Sequence, residues 1–351
     1  MKNPFLRQLI SGDIPPESEA FHAFLDRVMQ GDVSKSEVTA FLAGLSAKPL
    51  NAENVSNFVS HVFQVSPVKQ LRGGENAVNI VGTGGGISTF NISTAVAFVA
   101  SAAGAKVLKS GSAAYNSQCG SLDVLASLGV PMPDSEAMLA DMLDQLGVGF
   151  VPAAHYGALL RRLAIHILPL QFRDIAGFVN IVGPLLCPYR VAGQLIGVGR
   201  FDYLDIFTDV LSQQDAPKTL LVHADCAMDE FSSVGVNHCR MIDDGIQRFS
   251  LSSRNLGFGG GCVEKLAGGD VKQNSMLLRR VLTGQRRDEA RDTVVLNSAA
   301  LLFIAGIVRS IETGIELAAK TIDDGKAVAQ LQRVLEWGAR QNSKRVAESA
   351  A

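Results

Sequence analysis

Along the first 65 residues the apolar positions recur at helical spacing and nowhere alternate. Phe21, Phe24, Leu25 and Val28 share one helical face. So do Val38, Phe41, Leu42 and Leu45, and then Val55, Phe58, Val59, Val62 and Phe63. Ser34-x-x-Glu37 is a capping box opening the second run, and Asn51 stands where the third begins. The pattern predicts a small helical module with no strand before Val78.

Past a Gly-rich hinge, Arg72-Gly73-Gly74-Glu75, the pattern changes. Val78–Val81, Lys106–Lys109, Gly149–Val151, Gln194–Val198 and Thr219–His223 are short, largely apolar runs, and they predict buried strands. Helical patterns lie between them, among them Ser135–Leu146 and Asp202–Leu211. Strand–helix alternation predicts an α/β fold with a mostly parallel sheet covered on both faces. The expected organisation is a helical domain over residues 1–70 and a large α/β domain over 75–345. Ala154–Asn180 has Leu159, Leu160, Leu163 and Ile167 at helical spacing before Pro169. Whether residues 165–185 stay with the sheet or cross back to the helical module is left open.

Composition narrows the classes. With 351 residues, 47% hydrophobic and 19% charged, the chain can bury a large core, which excludes disorder. Its 32 basic and 34 acidic residues leave a net charge of −2, and the pI is near 6.3. That balance argues against a nucleic-acid partner or an acidic lipid surface. Five cysteines (Cys119, Cys187, Cys226, Cys239, Cys262) show no C-x-x-C spacing and fit a reducing compartment. The N-terminus lacks the apolar core of a signal peptide, and polar residues interrupt Ala95–Leu108 and Val294–Val308. The expectation is a cytoplasmic protein with no membrane contact.

Three segments carry candidate chemistry. Gly82-Thr83-Gly84-Gly85-Gly86-Ile87-Ser88-Thr89-Phe90-Asn91-Ile92-Ser93-Thr94 follows the first predicted strand and opens an Ala-rich helix. Glycines let several backbone N–H groups converge, and a helix N-terminus favours an anion. The run is neither a P-loop nor a Rossmann fingerprint. Lys109-Ser110-Gly111-Ser112-Ala113-Ala114-Tyr115-Asn116-Ser117 leaves the next strand, ahead of Gly120-Ser121-Leu122-Asp123. Parallel strands present these loops at one sheet edge, so Lys109 is placed to face a phosphate. Asp229-Glu230 follows the Thr219–His223 strand, and adjacent carboxylates suit Mg²⁺ shared with substrate phosphates. Each also has a plain reading, as a tight turn, a capped loop and a surface acidic pair. The six histidines show no metal spacing.

In order along nearly the whole chain, these motifs resemble the anthranilate phosphoribosyltransferase family. The likeness rests on Gly82-Thr83-Gly84-Gly85 through Thr94, Lys109-x-Gly111, Gly120-Ser121-x-Asp123-Val124-Leu125 and Asn180-x-x-Gly183-Pro184-Leu185. Met228-Asp229-Glu230, Gly268-Gly269-Asp270, and Arg291-Asp292 leading to Leu296-Asn297 complete it. The resemblance implies a nucleoside phosphorylase/phosphoribosyltransferase class of fold, with the active site between a small helical and a large α/β domain. It implies a homodimer and Mg²⁺-assisted transfer of phosphoribosyl from phosphoribosyl pyrophosphate to a small aromatic amine, a step of tryptophan biosynthesis. Gly82, Gly85, Thr89, Asn91, Ser93, Thr94, Lys109, Ser117 and Ser121 would hold the donor, and Ser93, Asp229 and Glu230 the metal. Gly82, Ser110, Ser112 and Leu170 would line the acceptor pocket.

The chain also departs from the family pattern. The Asp of Gly-Thr-Gly-Gly-Asp-Gly is missing, and Lys-His-Gly-Asn-Arg becomes Lys109-Ser110-Gly111-Ser112-Ala113. The family's acceptor-binding arginine aligns with Leu170, and a leucine cannot pair with a carboxylate. These losses predict an altered acceptor site and weak use of anthranilate. The alternatives are a non-catalytic member that binds a ligand or nucleic acid, and a nucleoside phosphorylase on the same fold.

Overall fold

The computed structural model describes residues 3–12, 17–111 and 120–350, with side chains to 343. Four helices come first: α1 (Pro4–Ser11), α2 (Ser18–Gln30), α3 (Lys35–Ala47) and α4 (Ala52–Val65). The reciprocal capping box of Ser34 and Glu37 starts α3, and the Asn51 side chain caps α4. Gly31, left-handed at φ 81°, ends α2.

Strands and helices then alternate: β1 (Ala77–Gly82), α5 (Ile92–Ala102), β2 (Lys106–Lys109), α6 (Ser121–Ser127), α7 (Glu136–Leu146) and β3 (Val148–Phe150). Three short helices follow: α8 (Ala158–His166), α9 (Phe172–Ile175) and α10 (Gly177–Val182). The chain continues through β4 (Gly193–Gly197), α11 (Tyr203–Ser212), β5 (Lys218–Ala224), β6 (Val236–Ile242) and β7 (Ile246–Ser252). It closes with α12 (Val271–Leu282), α13 (Glu289–Ile304), α14 (Ile311–Asp323) and α15 (Lys326–Ala350).

All seven strands form one sheet in the order β3-β2-β1-β4-β5-β6-β7. The first five are parallel, matching the apolar runs within a residue at their ends. β6 and β7 form an antiparallel hairpin on β5 that the pattern did not anticipate. β7 is largely exposed, so it lacks the continuous apolar run that marks a buried strand.

Side chains alternate across the sheet and divide the interior. Val78, Ile80, Leu195, Leu220 and Val222 face α5, α12, α13, α14 and the start of α15, around a helix α5 buried on every side. Ile196, Val198 and Leu221 face the other way, toward α11 and the helical module. The segment left open by its sequence goes with that module. Leu159, Leu163, Ile167, Phe178 and Val182 share a core with Phe21, Phe41 and Phe58, and Phe58 meets Phe178 edge-on at 5.4 Å. No helix among the described residues is long and apolar enough to cross a membrane.

Candidate active site

The C-terminal ends of β1 and β2 and the turn that follows β5 open together onto a cavity of about 710 Å³, walled on its far side by α8 to α10. Gly82 and Gly197 stand side by side where β1 pairs with β4. Neither position has room for a side chain. A Cβ on Gly82 would overlap the Asp229 carboxylate, and one on Gly197 would overlap the Asp229 carbonyl. The paired glycines form a trough into which Asp229 is pressed. Gly84 then donates its N–H to Asp229 Oδ2 at 2.7 Å. Thr83 locks the turn, its Oγ1 accepting from Gly199 N–H and donating to the Gly84 carbonyl, both at 2.9 Å.

From this turn the chain runs past Thr89, which bridges to Ala267 beside the Gly268-Gly269-Asp270 motif, and enters α5. Asn91 occupies the N-cap position but makes no capping bond. Its Oδ1 instead accepts from Asn274 Nδ2 of α12 at 3.1 Å. The first turn of α5 is thus left without a side-chain cap and opens on the cavity, with Asn91 and Ser93 on its wall. Ile92 N–H already donates to the Phe90 carbonyl at 2.6 Å and Thr94 N–H to the Asn91 carbonyl at 3.1 Å, so Ser93 and the helix dipole are what favour an anion there.

Lys109 ends β2 and is 4% exposed, its Nζ donating to the Ser110 carbonyl at 2.6 Å. Burial pushes its ammonium down to about 8, opposed by the charges of Glu230 and Asp229. Lys109 is therefore a buried counter-charge to the acidic pair as well as part of the cavity wall, more deeply set than a surface loop residue. Burial pushes both carboxyls up. For Glu230 the adjacent Asp229 adds charge repulsion and the shift is large; for Asp229 the Gly84 N–H works the other way. Glu230 Oε2 is buried with no hydrogen-bond partner. Two crowded carboxylates beside the cavity, one with an unpartnered buried oxygen, fit a hard divalent cation such as Mg²⁺. Among the described residues no group of three acidic, His or Cys side chains could hold a metal unaided, so substrate oxygens would complete the shell.

Of the residues singled out in the sequence, Gly82, Gly85, Thr89, Asn91, Ser93, Lys109, Ser121, Asp229 and Glu230 line this one cavity. Ser112 and Ser117 lie outside the described residues, as does Ala113. Three expectations are corrected. Thr94 is fully buried and does not reach the cavity, because one residue past Ser93 is a turn of about 100° around the helix. Ser110 is 1% exposed and lies behind the wall, its N–H bonded to Asn79 Oδ1. Leu170 projects to solvent and is no part of the cavity.

The cations of the far wall were missed. Arg161 of α8 and Arg173 of α9 both line the cavity, as do Tyr156 and Phe172. Arg173 makes only a loose contact with Asp174, at 3.8 Å. Arg161 has no carboxylate within ion-pair distance among the described residues. The signal was present as Arg161 and Arg173 within Ala154–Asn180, the segment whose packing the pattern left open. Asn180, from the Asn-x-x-Gly-Pro-Leu motif, ties α10 to α9 by donating to the Phe172 and Ala176 carbonyls.

A parallel sheet edge with an uncapped helix, a buried lysine and a carboxylate pair defines an α/β protein built to hold a phosphorylated ligand. Comparison with known proteins makes this specific. Residues 74–328 match the glycosyl transferase family, a/b domain. The anthranilate phosphoribosyltransferase of Exiguobacterium sibiricum is 37% identical, with 86% of this chain and 88% of the relative covered. That of Syntrophomonas wolfei is 32% identical, with 96% and 98% covered. The crystal structure of the Thermus thermophilus anthranilate phosphoribosyltransferase superposes with a TM-score of 0.79 at 26% identity, covering 95% of this chain and 99% of that one. The Saccharomyces cerevisiae enzyme, solved in complex with PRPP and Mg, has the same fold, with a TM-score of 0.81, 24% identity, and coverage of 96% and 97%. The chain belongs to the anthranilate phosphoribosyltransferase family of glycosyl transferases and is a pentosyltransferase.

Proposed function

We propose that this chain transfers the 5-phosphoribosyl group from phosphoribosyl pyrophosphate to the amine of a small aromatic acid, with Mg²⁺ held by Ser93, Asp229 and Glu230. The observation that carries the reading is the Asp229–Glu230 pair, set against Lys109 and the open N-terminus of α5 across one cavity. Gly82, Gly85, Thr89, Asn91, Ser121 and the first turn of α5 bind the donor. As the amine nitrogen forms its bond to the ribose anomeric carbon, the bond to pyrophosphate oxygen breaks and negative charge grows on the leaving group. Lys109, Ser93 and the N-terminal end of the α5 dipole are fixed at the cavity where that charge develops, so no reorganisation is needed. The metal supplies charge neutralisation to the same leaving group.

The altered-acceptor expectation rested on the missing Asp of the glycine loop, on Lys109-Ser110-Gly111-Ser112-Ala113 and on Leu170. Leu170 lies outside the cavity, Ser110 is buried behind its wall, and Ser112 and Ala113 lie outside the described residues. The carboxylate-binding role falls instead to Arg161 and Arg173, which line the same cavity as the donor residues, together with Tyr156 and Phe172. An arginine offers a planar, always-charged fork to a carboxylate. Aromatic acids with an amine, anthranilate included, are therefore the acceptors expected. Loss of anthranilate fluorescence in the presence of phosphoribosyl pyrophosphate and Mg²⁺ tests this directly. Arg161→Ala and Arg173→Ala are each expected to raise the acceptor KM about 10- to 150-fold, the equivalent of one charge-assisted contact. The donor KM should move much less. Turnover untouched by both substitutions would remove the arginines from the acceptor site, and donor binding without turnover of any aminobenzoate would favour a non-catalytic binding role.

A further inference from the structure

The carboxylate pair follows a short turn whose two ends, Ala224 and Met228, are both buried in the core, Ala224 N–H donating to the Met228 carbonyl at 3.2 Å, while Asp225 between them is exposed. At the far end Met228 is fully buried. Beyond it Asn297 clamps Phe231, its Oδ1 accepting from the Phe231 N–H at 3.0 Å and its Nδ2 donating to the Phe231 carbonyl at 2.7 Å. At the near end the chain leaves β5 through Ala224 to Ala227, with Ala227 N–H bonded to the Ala224 carbonyl and Ala227 itself left-handed at φ 59°. That backbone conformation is unfavourable for alanine, so something else must keep the turn in place.

Asp225 adds a hold on the exposed part of the turn, beyond the Ala224–Met228 bridge at its base. Its Oδ1 lies 2.6 Å from His238 Nε2 on β6, and its N–H donates to the Val236 carbonyl at 2.9 Å. A carboxylate can only accept, so His238 Nε2–H is the donor. Its Nδ1 lies 3.0 Å from Ser250 Oγ on β7. Ser250 stands directly opposite His238 in the hairpin register, which makes its hydroxyl a cross-strand brace for the ring. The Phe201 ring meets His238 edge-on at 5.0 Å. Phe201 stands two residues after Gly199, whose N–H bonds to Thr83 of the glycine turn. Burial does not hold this contact, because the Asp225 side chain is 52% exposed and that of His238 26%. The hydrogen bonds do.

We infer that His238 is a positioning residue that acts through Asp225 to hold Asp229 and Glu230 at the metal-facing position, an inference that rests on the reading of that pair given above. A displaced turn would be felt twice in the glycine loop, because the Ala227 carbonyl accepts from Ile87 N–H at 2.9 Å and Asp229 Oδ2 accepts from Gly84 N–H at 2.7 Å. His238 touches none of the reacting atoms. Its contribution is the geometry of two carboxylates, which sets how tightly a divalent cation is held.

Two measurements test this, one of them without any ligand. In the ligand-free protein, His238→Ala and Asp225→Ala should each speed amide hydrogen exchange over residues 225–230 by about 10-fold, the scale of losing one charge-assisted bond. Exchange in β1 and β4 should stay as in the wild type. In calorimetric titrations of Mg²⁺ with phosphoribosyl pyrophosphate present, the same variants should weaken the metal by a similar factor. His238→Gln, whose amide can still donate to Asp225, should recover most of the loss. Unchanged exchange and affinity in His238→Ala would overturn the inference, and so would faster exchange throughout the sheet. If the wild type does not bind Mg²⁺ with phosphoribosyl pyrophosphate, the proposed function fails, and the exchange experiment still decides whether His238 anchors the turn.

Discussion

Replacing Gly197 by alanine should abolish Mg²⁺-dependent donor binding, although Gly197 carries no functional group. The added Cβ would occupy the place of the Asp229 carbonyl, a backbone atom that no side-chain rotation can move aside. The turn must lift out of its trough, carrying the Asp229 carboxylate away from Gly84 N–H and Glu230 away from Lys109. Overpacking of this kind costs about 1–3 kcal/mol of stability. Loss of two charge-assisted contacts, each worth about 1.5–3 kcal/mol, predicts a fall in donor affinity of at least about 100-fold. Gly245→Ala is the matched control, because its Cβ would meet nothing within 4 Å. It should bind and melt like the wild type. A Gly197→Ala protein with wild-type affinity would show that Asp229 need not sit where it does.

The Glu230→Gln variant should separate stability from activity, and in opposite directions. Burial and the neighbouring Asp229 raise the Glu230 carboxyl well above its usual value. A group whose folded pKa is raised favours the folded state below its unfolded pKa, and that advantage disappears as pH rises through the folded pKa. The metal-free wild type is therefore penalised at neutral and alkaline pH, where both carboxylates must ionise together. Glutamine has the shape of the protonated acid and never ionises. Glu230→Gln should match the wild type near pH 5 and melt roughly 2–4 °C higher at pH 8, a shift worth about 1 kcal/mol. The gap should close when Mg²⁺ and phosphoribosyl pyrophosphate are added, since only the wild type gains from them. Turnover should fall on the order of 100-fold or more, because charge neutralisation at the leaving group is worth several kcal/mol. Melting curves from pH 5 to 9 and initial rates check both halves, and a variant less stable than the wild type at every pH would contradict the account.

Much of this arrangement was legible in the chain, for reasons that can be named. The five parallel strands are largely buried on both faces, so each reads as a short, largely apolar run even where Asn79, Gln194 or Thr219 interrupts it. The helix starts at Ser34 and Asn51 follow from side chains that satisfy their own backbone. The β6–β7 hairpin escaped because its outer strand is exposed, although Asp244-Gly245 between two strand-like runs was a usable turn signal. Placement around a helix was harder than placement along it. Thr94 and Leu170 each lie within three residues of a cavity-lining side chain and still face elsewhere. The α8–α10 segment is built of short helices whose faces are set by packing on the N-terminal module, so its arginines could be placed only once that packing was known. The burial of Lys109 and the crowding of Asp229 with Glu230 are tertiary effects that residue identity does not carry.

Titrating phosphoribosyl pyrophosphate into the protein by calorimetry, with and without Mg²⁺, tests the central claim most directly. The account predicts one donor bound per chain when Mg²⁺ is present, in the range of about 1 μM to 1 mM usual for enzyme substrates. It predicts a large loss of that binding without the metal, and the same loss in Glu230→Gln. Absence of binding with Mg²⁺ present, or binding indifferent to both the metal and Glu230, would contradict it.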